Sequence, residues 1–89
     1  MDATIKSFKE DRATGVKFSH APSLFAAIRR DAEILAKVFM ENHLYESTGT
    51  MCKYVMGNVD CDVTYVGTYW IVEFYKNNDT TPFATAHVK

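Results

Sequence analysis

Apolar residues recur at one spacing in the middle of the chain and at another in its C-terminal half. From Pro22 to Leu44 apolar residues recur at three- and four-residue steps, which is the period of an amphipathic helix. Pro22 suits the first turn of such a helix, and Ser19 or Ser23 can cap it. After Gly49 apolar and polar residues alternate, which is typical of strands with one buried face. The helical stripe contains Phe25, Ile28, Ala32, Leu35, Ala36 and Phe39, and Leu24, Ile34 and Val38 widen it.

The other side of the predicted helix is charged. Arg29 and Glu33, Glu33 and Lys37, and Lys37 and Glu41 are four residues apart. Each such pair stabilises a helix by about 0.2–0.5 kcal/mol. We interpret these residues as a solvated helix face.

The first hairpin after the helix is predicted to turn at Gly57-Asn58. This register collects the apolar residues on one face of the sheet and opposes charges on the other. The predicted pairs are Met56–Val59, Tyr54–Cys61 and Cys52–Val63 on the apolar face, with Lys53–Asp62 and Val55–Asp60 on the other.

The second hairpin is predicted to turn at Gly67-Thr68. It continues the apolar face, but it also sets Asp62 opposite Glu73, and like charges across a ladder are unfavourable. Lys53 beside Asp62 would offset that repulsion, and a bulge would avoid it. The predicted inward pairs are Tyr65–Trp70, Val63–Val72 and Cys61–Phe74.

The two ends of the chain complete the sheet. A strand from Thr4 to Lys9, a turn from Glu10 to Gly15 and a strand from Val16 to His20 are predicted, or else one strand and a loose arm. A last hairpin turns through residues 77–81, and Pro82 opens a strand from Phe83 to Val88. Whether Phe83 or Ala84 points inward depends on the length of that loop.

The predicted fold is therefore α+β, with one long helix packed on an antiparallel meander of four to six strands, forming a single domain over residues 1–89. In outline this order resembles the cystatin and monellin architecture, in which a sheet wraps one helix. The segment VTYVG (residues 63–67) is similar to the cystatin inhibitory loop. It departs from that family by lacking the Gln and by falling in the second hairpin after the helix, so only the shape is carried over.

The two cysteines, Cys52 and Cys61, lie diagonally on adjacent strands in the predicted register. That places them about 7–8 Å apart, whereas a disulfide usually needs Cα atoms within about 7 Å. We therefore expect two buried free thiols with a structural role. Their spacing fits no zinc motif, and the sequence contains no catalytic or cofactor motif, so we expect neither an enzyme nor a bound metal or cofactor.

Charge is close to balance, at −1 in total, but it is unevenly distributed. Residues 41–89 contain three lysines and six acids, a net charge of −3. No apolar run is long enough to span a bilayer, and the N-terminus has no hydrophobic signal core. We therefore expect a cytoplasmic protein that does not enter membranes, in the host cell if the protein is viral.

The outer face of the sheet is the predicted contact surface. Apolar and aromatic residues alternate there with carboxylates, which favours a partner protein with a basic surface, or a second copy of the chain. The alternative that residues 1–20 cover this face remains open. The predicted partner-binding residues are Val55, Asp60, Asp62, Val66, Tyr69, Ile71, Glu73 and Tyr75.

Small domains without catalytic motifs are common among proteins that inhibit or modulate a larger protein, including those encoded by phages. We expect this protein to act in that way, through protein–protein contacts. The alternative is an RNA-binding protein, because a cluster of basic residues can neutralise phosphates. The residues of that alternative are Lys6, Lys9, Lys17, Arg29 and Arg30.

Overall fold

A computed structural model describes residues 1–8, 22–54, 57–76 and 79–89, without the side chains of residues 22–24, 51–54 and 57–58. One helix packs on a five-stranded antiparallel sheet of strand order β1-β5-β4-β3-β2, which confirms the predicted α+β fold. The elements are β1 (Ala3–Phe8), α1 (Pro22–Glu41), β2 (Glu46–Tyr54), β3 (Gly57–Tyr65), β4 (Trp70–Lys76) and β5 (Ala84–Val88).

The core lies between α1 and the inner face of the sheet, where alternate strand residues point. The helical stripe is confirmed at Ile28, Ala32, Ala36 and Phe39, whereas Phe25 and Leu35 are half-buried. The prediction that Ile34 and Val38 widen the buried stripe is wrong, since their side chains are 52% and 45% exposed. The sheet contacts one side of α1 only, and these two residues lie beyond the rim of that contact. The Leu24 side chain lies outside the described part. The fully buried strand residues are Cys61, Val63, Val72, Phe74, Ala84, Ala86 and Val88.

α1 ends three residues earlier than predicted, at a capping motif. His43 adopts a left-handed φ of 56°. Its amide donates to the Met40 carbonyl at 3.2 Å, and the Leu44 amide donates to the Phe39 carbonyl at 2.8 Å. These two bonds form a Schellman motif, which satisfies the last carbonyls of the helix and turns the chain toward β2.

The register of the β3–β4 hairpin is confirmed. Tyr65 pairs with Trp70 and Cys61 with Phe74, and Asp62 faces Glu73 without a bulge. Gly67, with a φ of 96°, supplies the left-handed residue of the connection.

The register of the β2–β3 hairpin is wrong. Tyr54 pairs with Gly57 and Cys52 with Val59, so Gly57 and Asn58 belong to β3 instead of a turn, and residues 55–56 lie outside the described part. Residues of β3 nevertheless point to the predicted faces, because the partner of Cys52 moved by an even number of positions. Lys53 consequently faces Asn58 instead of Asp62.

β1 lies at the edge of the sheet beside β5, and it does not cross the outer face. The predicted turn at residues 10–15 and strand at residues 16–20 lie outside the described part. In β5, Ala84 points inward, and Phe83 just before the strand is also buried.

Two charged residues of α1 hold the start of β1. Asp2 and Lys89 exchange backbone hydrogen bonds, so the amide and carbonyl of Ala3 point away from β5. The Ala3 amide donates to Glu33 Oε1 at 3.2 Å, and Arg29 Nε donates to the Ala3 carbonyl at 3.1 Å. The face of α1 that we interpreted as solvated therefore contributes to tertiary structure through these two residues.

Candidate functional site

The sequence placed all the predicted partner-binding residues on the outer face; of the described ones, five lie on that face of β3 and β4, and Val66 and Tyr69 lie in the β3–β4 turn. Those of the face are half-buried, as is Tyr69, and Val66 is 44% exposed. Val55 lies outside the described part. The half-buried residues of the face are Asp60, Asp62, Ile71, Glu73 and Tyr75.

Three carboxylates and one phenol form an acidic patch on that face, consisting of Asp60, Asp62, Glu73 and Tyr75. Asp60 pairs with Tyr75 and Asp62 with Glu73. Burial raises the pKa of Tyr75, and the charges of Glu73 and Asp62 and hydrogen bonds to both raise it further. The Gly49 amide also donates to Asp62 Oδ1, at 3.3 Å. The Tyr75 hydroxyl and the Gly49 amide therefore moderate the repulsion between Asp62 and Glu73; the Lys53 side chain, predicted to do so, lies outside the described part.

The basic residues of the alternative function do not form one surface in the described part of the chain. Lys6 lies on the outer face of β1, whereas Arg29 and Arg30 lie on α1, on the other side of the sheet. Arg29 is bonded to Ala3. Lys9 and Lys17 lie outside the described residues.

Arg30 lies beside an unusual core residue. Asp31 is 7% exposed, its Oδ1 is 3.8 Å from Arg30 Nε, and its Oδ2 has no hydrogen-bond partner among the described residues. Burial raises the pKa of Asp31, and the guanidinium of Arg30 partly offsets that rise. This carboxylate gives Arg30 a local structural role.

A cluster of three aromatic rings occupies one end of the molecule, and the sequence reasoning missed it as a site. The rings of Tyr45 and Trp70 are stacked with centroids 6.0 Å apart, and Tyr65 is 5.8 Å from Tyr45 and 5.0 Å from Trp70. The Tyr65 amide donates to the Tyr45 carbonyl, and its hydroxyl donates to the Gly67 carbonyl. Trp70 is buried, but Tyr65 and Tyr45 are 37% and 50% exposed.

These rings border a cavity of about 330 Å³, called the aromatic cleft here. Apolar side chains surround it, among them the exposed Met1 and Met40. Leu44, next to Tyr45 in the chain, is 51% exposed. The sequence feature that could have indicated this cluster is Leu44-Tyr45, an apolar pair that begins three residues after the end of α1. The remaining lining residues are Thr68, Tyr69, Val88 and Lys89.

A second cavity, called the basic pocket here, opens on the outer face and has a volume of about 520 Å³. The rings of Tyr69 and His87 lie 4.7 Å apart at its wall. Burial lowers the pKa of His87, and the charges of Lys6 and Lys89 lower it further. The basic pocket is lined by Asp2, Thr4, Lys6, Thr68, Tyr69, His87 and Lys89.

The prediction of free thiols is wrong, since Cys61 is disulfide-bonded. The sequence contains one other cysteine, Cys52, whose side chain lies outside the described part. The prediction rested on a pair between Cys52 and Val63, whereas Cys52 pairs with Val59 and Cys61 with Thr50. The estimated distance therefore belonged to a register that the structure does not have.

Among the described residues, no group of three histidine, cysteine or acidic side chains is placed to hold a metal ion. Within the same residues, no helix combines the length and apolar character needed to cross a membrane. Searches with protein-family models, against curated proteins and against solved structures gave no match.

Proposed function

We propose that this protein is a binding module that holds an apolar side chain of a partner protein in the aromatic cleft. The observation that carries the proposal is the exposure of Tyr45 and Tyr65 beside the buried Trp70. Clustered exposed apolar groups on a small protein mark contact surfaces. Tyrosine is favoured there because it offers a large apolar area and a polar tip at little cost in conformational entropy.

The chemistry of the cleft suits an aliphatic or aromatic anchor. Its walls are flat rings on one side and the flexible Met40 on another, and methionine adapts to irregular partners. A small number of desolvated anchors usually carries most of the affinity of an interface. The cleft has room for one such anchor.

The acidic patch supports a partner with a basic surface. Asp60, Asp62 and Glu73 lie on β3 and β4, the two strands that end at the cleft in Tyr65 and Trp70. Carboxylates on the surface of a binding protein speed its encounter with a basic partner and disfavour acidic ones. That the protein inhibits or modulates a larger protein, and that it is phage-encoded and cytoplasmic, stay predictions from the sequence.

The test is capture of a partner from nuclease-treated lysate of the source or host, with a matched pair of variants. Tyr45→Ala removes an exposed ring from the cleft, whereas Ile34→Ala removes a similarly exposed apolar group from α1, away from the cleft. We expect wild type and Ile34→Ala to retain one stoichiometric protein, and Tyr45→Ala to lose it by tenfold or more, about 1.4 kcal/mol. Circular dichroism of all three proteins should be the same.

Equal retention by the two variants would refute the role of the aromatic cleft. The acidic patch is tested separately with Asp62→Asn combined with Glu73→Gln. This variant should weaken capture at low salt and reduce its salt dependence, because screened attraction is lost. Recovery of nucleic acid alone, when nuclease is omitted, would favour the alternative function instead.

A further inference from the structure

The basic pocket has the architecture of a small-ligand site that is separate from the aromatic cleft. It lies where β1, β5 and the β3–β4 turn meet on the outer face. Its volume of about 520 Å³ falls within the range of roughly 300–1,000 Å³ that is usual for ligand pockets. Three segments that are distant in the sequence therefore contribute to one concave surface.

Positive charge dominates this pocket. Lys6 and Lys89 line it from two neighbouring segments, and Asp2 is the single acidic side chain among the lining residues. The two ammonium groups both lower the pKa of His87. Both therefore act on the imidazole, and an anion that enters the pocket would be attracted by both charges.

Hydrogen-bond donors complement this charge. Thr4 contributes a hydroxyl group from β1 and Thr68 one from the β3–β4 turn, and His87 contributes an imidazole. The Tyr69 ring packs 4.7 Å from His87, which restricts the orientation of the imidazole. Lysine charge combined with hydroxyl and imidazole donors is chemistry that recognises a phosphate group.

We propose that the basic pocket binds the phosphate group of a ligand, with Lys6 and Lys89 supplying charge and Thr4, Thr68 and His87 supplying hydrogen bonds. The proposal does not depend on the function of the aromatic cleft. The two cavities adjoin, since Thr68, Tyr69 and Lys89 line both. A phosphate ligand and a partner protein would therefore bind side by side.

The test is an NMR titration of His87 and of the backbone amides with sulfate, a dianion whose charge does not change near neutral pH, and with inorganic phosphate. A bound dianion stabilises the protonated imidazole, so the pKa of His87 should rise. By linkage, sulfate should bind more tightly as the pH falls through that pKa. Amide shifts should concentrate at the residues that line the pocket.

Matched variants separate a site from general charge attraction. Lys6→Gln and Lys89→Gln each remove one cation from the pocket, and each should weaken sulfate binding by roughly threefold to tenfold, since a charge-assisted hydrogen bond is lost. Arg30→Gln removes an exposed cation on the other side of the sheet and should leave sulfate binding unchanged. Circular dichroism verifies the fold of each variant.

The source of the phosphate group follows from two further ligands. Tighter binding of AMP than of inorganic phosphate would identify a free nucleotide, and tighter binding of a single-stranded oligonucleotide than of AMP would identify a nucleic acid strand. The proposal is overturned if neither sulfate nor phosphate shifts the His87 resonances, or if Arg30→Gln weakens binding as much as Lys6→Gln does.

Discussion

The two hairpins that share β3 differ in how regularly they are built. β3 and β4 form seven consecutive residue pairs without a register shift, joined through Gly67 at a φ of 96°. β2 and β3 pair with a shift between Ser47 and Thr50, where Gly49 has a φ of 75°. Cys61, in β3, is also disulfide-bonded. A tight turn and apolar pairs order the β3–β4 hairpin, and the disulfide at Cys61 adds a covalent constraint to a sheet whose β2–β3 pairing is interrupted by a shift.

This difference teaches where sequence patterns determine register. Alternation assigns the faces of both hairpins, but it leaves register open to shifts by an even number of residues. At Gly67 the turn signal and the apolar pairs agree on one register. At Gly57-Asn58 an equally good turn signal lies inside β3, so the pattern permits two registers with the same faces.

The largest test of the comparison concerns the regular hairpin. Phe74→Ala should lower the free energy of unfolding by about 3–5 kcal/mol, because it empties a fully buried site between the sheet and α1. Ile71→Ala, three residues away on the outer face, should cost less than about 1.5 kcal/mol, since its side chain is only half-buried. Urea unfolding measures both. Equal losses of unfolding free energy would contradict the assignment of Phe74 to the inner face of β4 and of Ile71 to the outer face.

The second test breaks the irregular hairpin. Reduction with a phosphine should lower the free energy of unfolding by about 2–4 kcal/mol, because the unfolded chain loses its cross-link. Thermal melts with and without reductant measure the change. The control is Cys61→Ser, which should melt at the same temperature in both conditions. If the melting temperature of the wild type is the same with and without reductant, and two thiols can be titrated, the prediction of free thiols would be correct after all.

The smallest test concerns the like charges that the regular hairpin tolerates. Glu73→Gln removes the repulsion with Asp62 and should stabilise the fold by about 0.2–1 kcal/mol. It should also lower the pKa of Tyr75 toward its ordinary value of 10.0, because a negative charge that raises it is gone.

Tyr75 also sets a pH dependence whose sign is defined. Its folded-state pKa is raised, so the folded state retains the proton and stability falls as the pH rises above about 10. Glu73→Gln should reduce that fall. Ultraviolet titration of the phenol measures the pKa, with Asp79→Asn, an exposed loop carboxylate, as the control. An unchanged Tyr75 titration in Glu73→Gln would contradict the arrangement of the acidic patch.

The fold was predictable because each element carries its own period. Ile28, Ala32, Ala36 and Phe39 define the buried side of α1 without reference to the strands. The end of α1 was less predictable, because the residue in the left-handed position is His43 rather than the usual glycine.

The sites were only partly predictable. Alternation placed Tyr69, Ile71 and Tyr75 on the outer face; Ile71 and Tyr75 lie on that face of β4, and Tyr69 lies in the β3–β4 turn. The aromatic cleft was not predictable, because Tyr45 meets Tyr65 only after the Schellman motif returns the chain to the sheet. The basic pocket brings together residues from both ends of the chain. The spacing of residues within a short segment cannot predict such a contact.

The contacts of Glu33 and Arg29 with Ala3 have a consequence for assembly. An edge strand with free amides and carbonyls can recruit a strand of another molecule, which is the first step of many aggregation reactions. At Ala3 both backbone groups that face outward are already occupied by side chains of α1. A foreign strand would have to displace two charged groups there before pairing with β1 at Ala3, so the helix obstructs strand addition at the start of that edge.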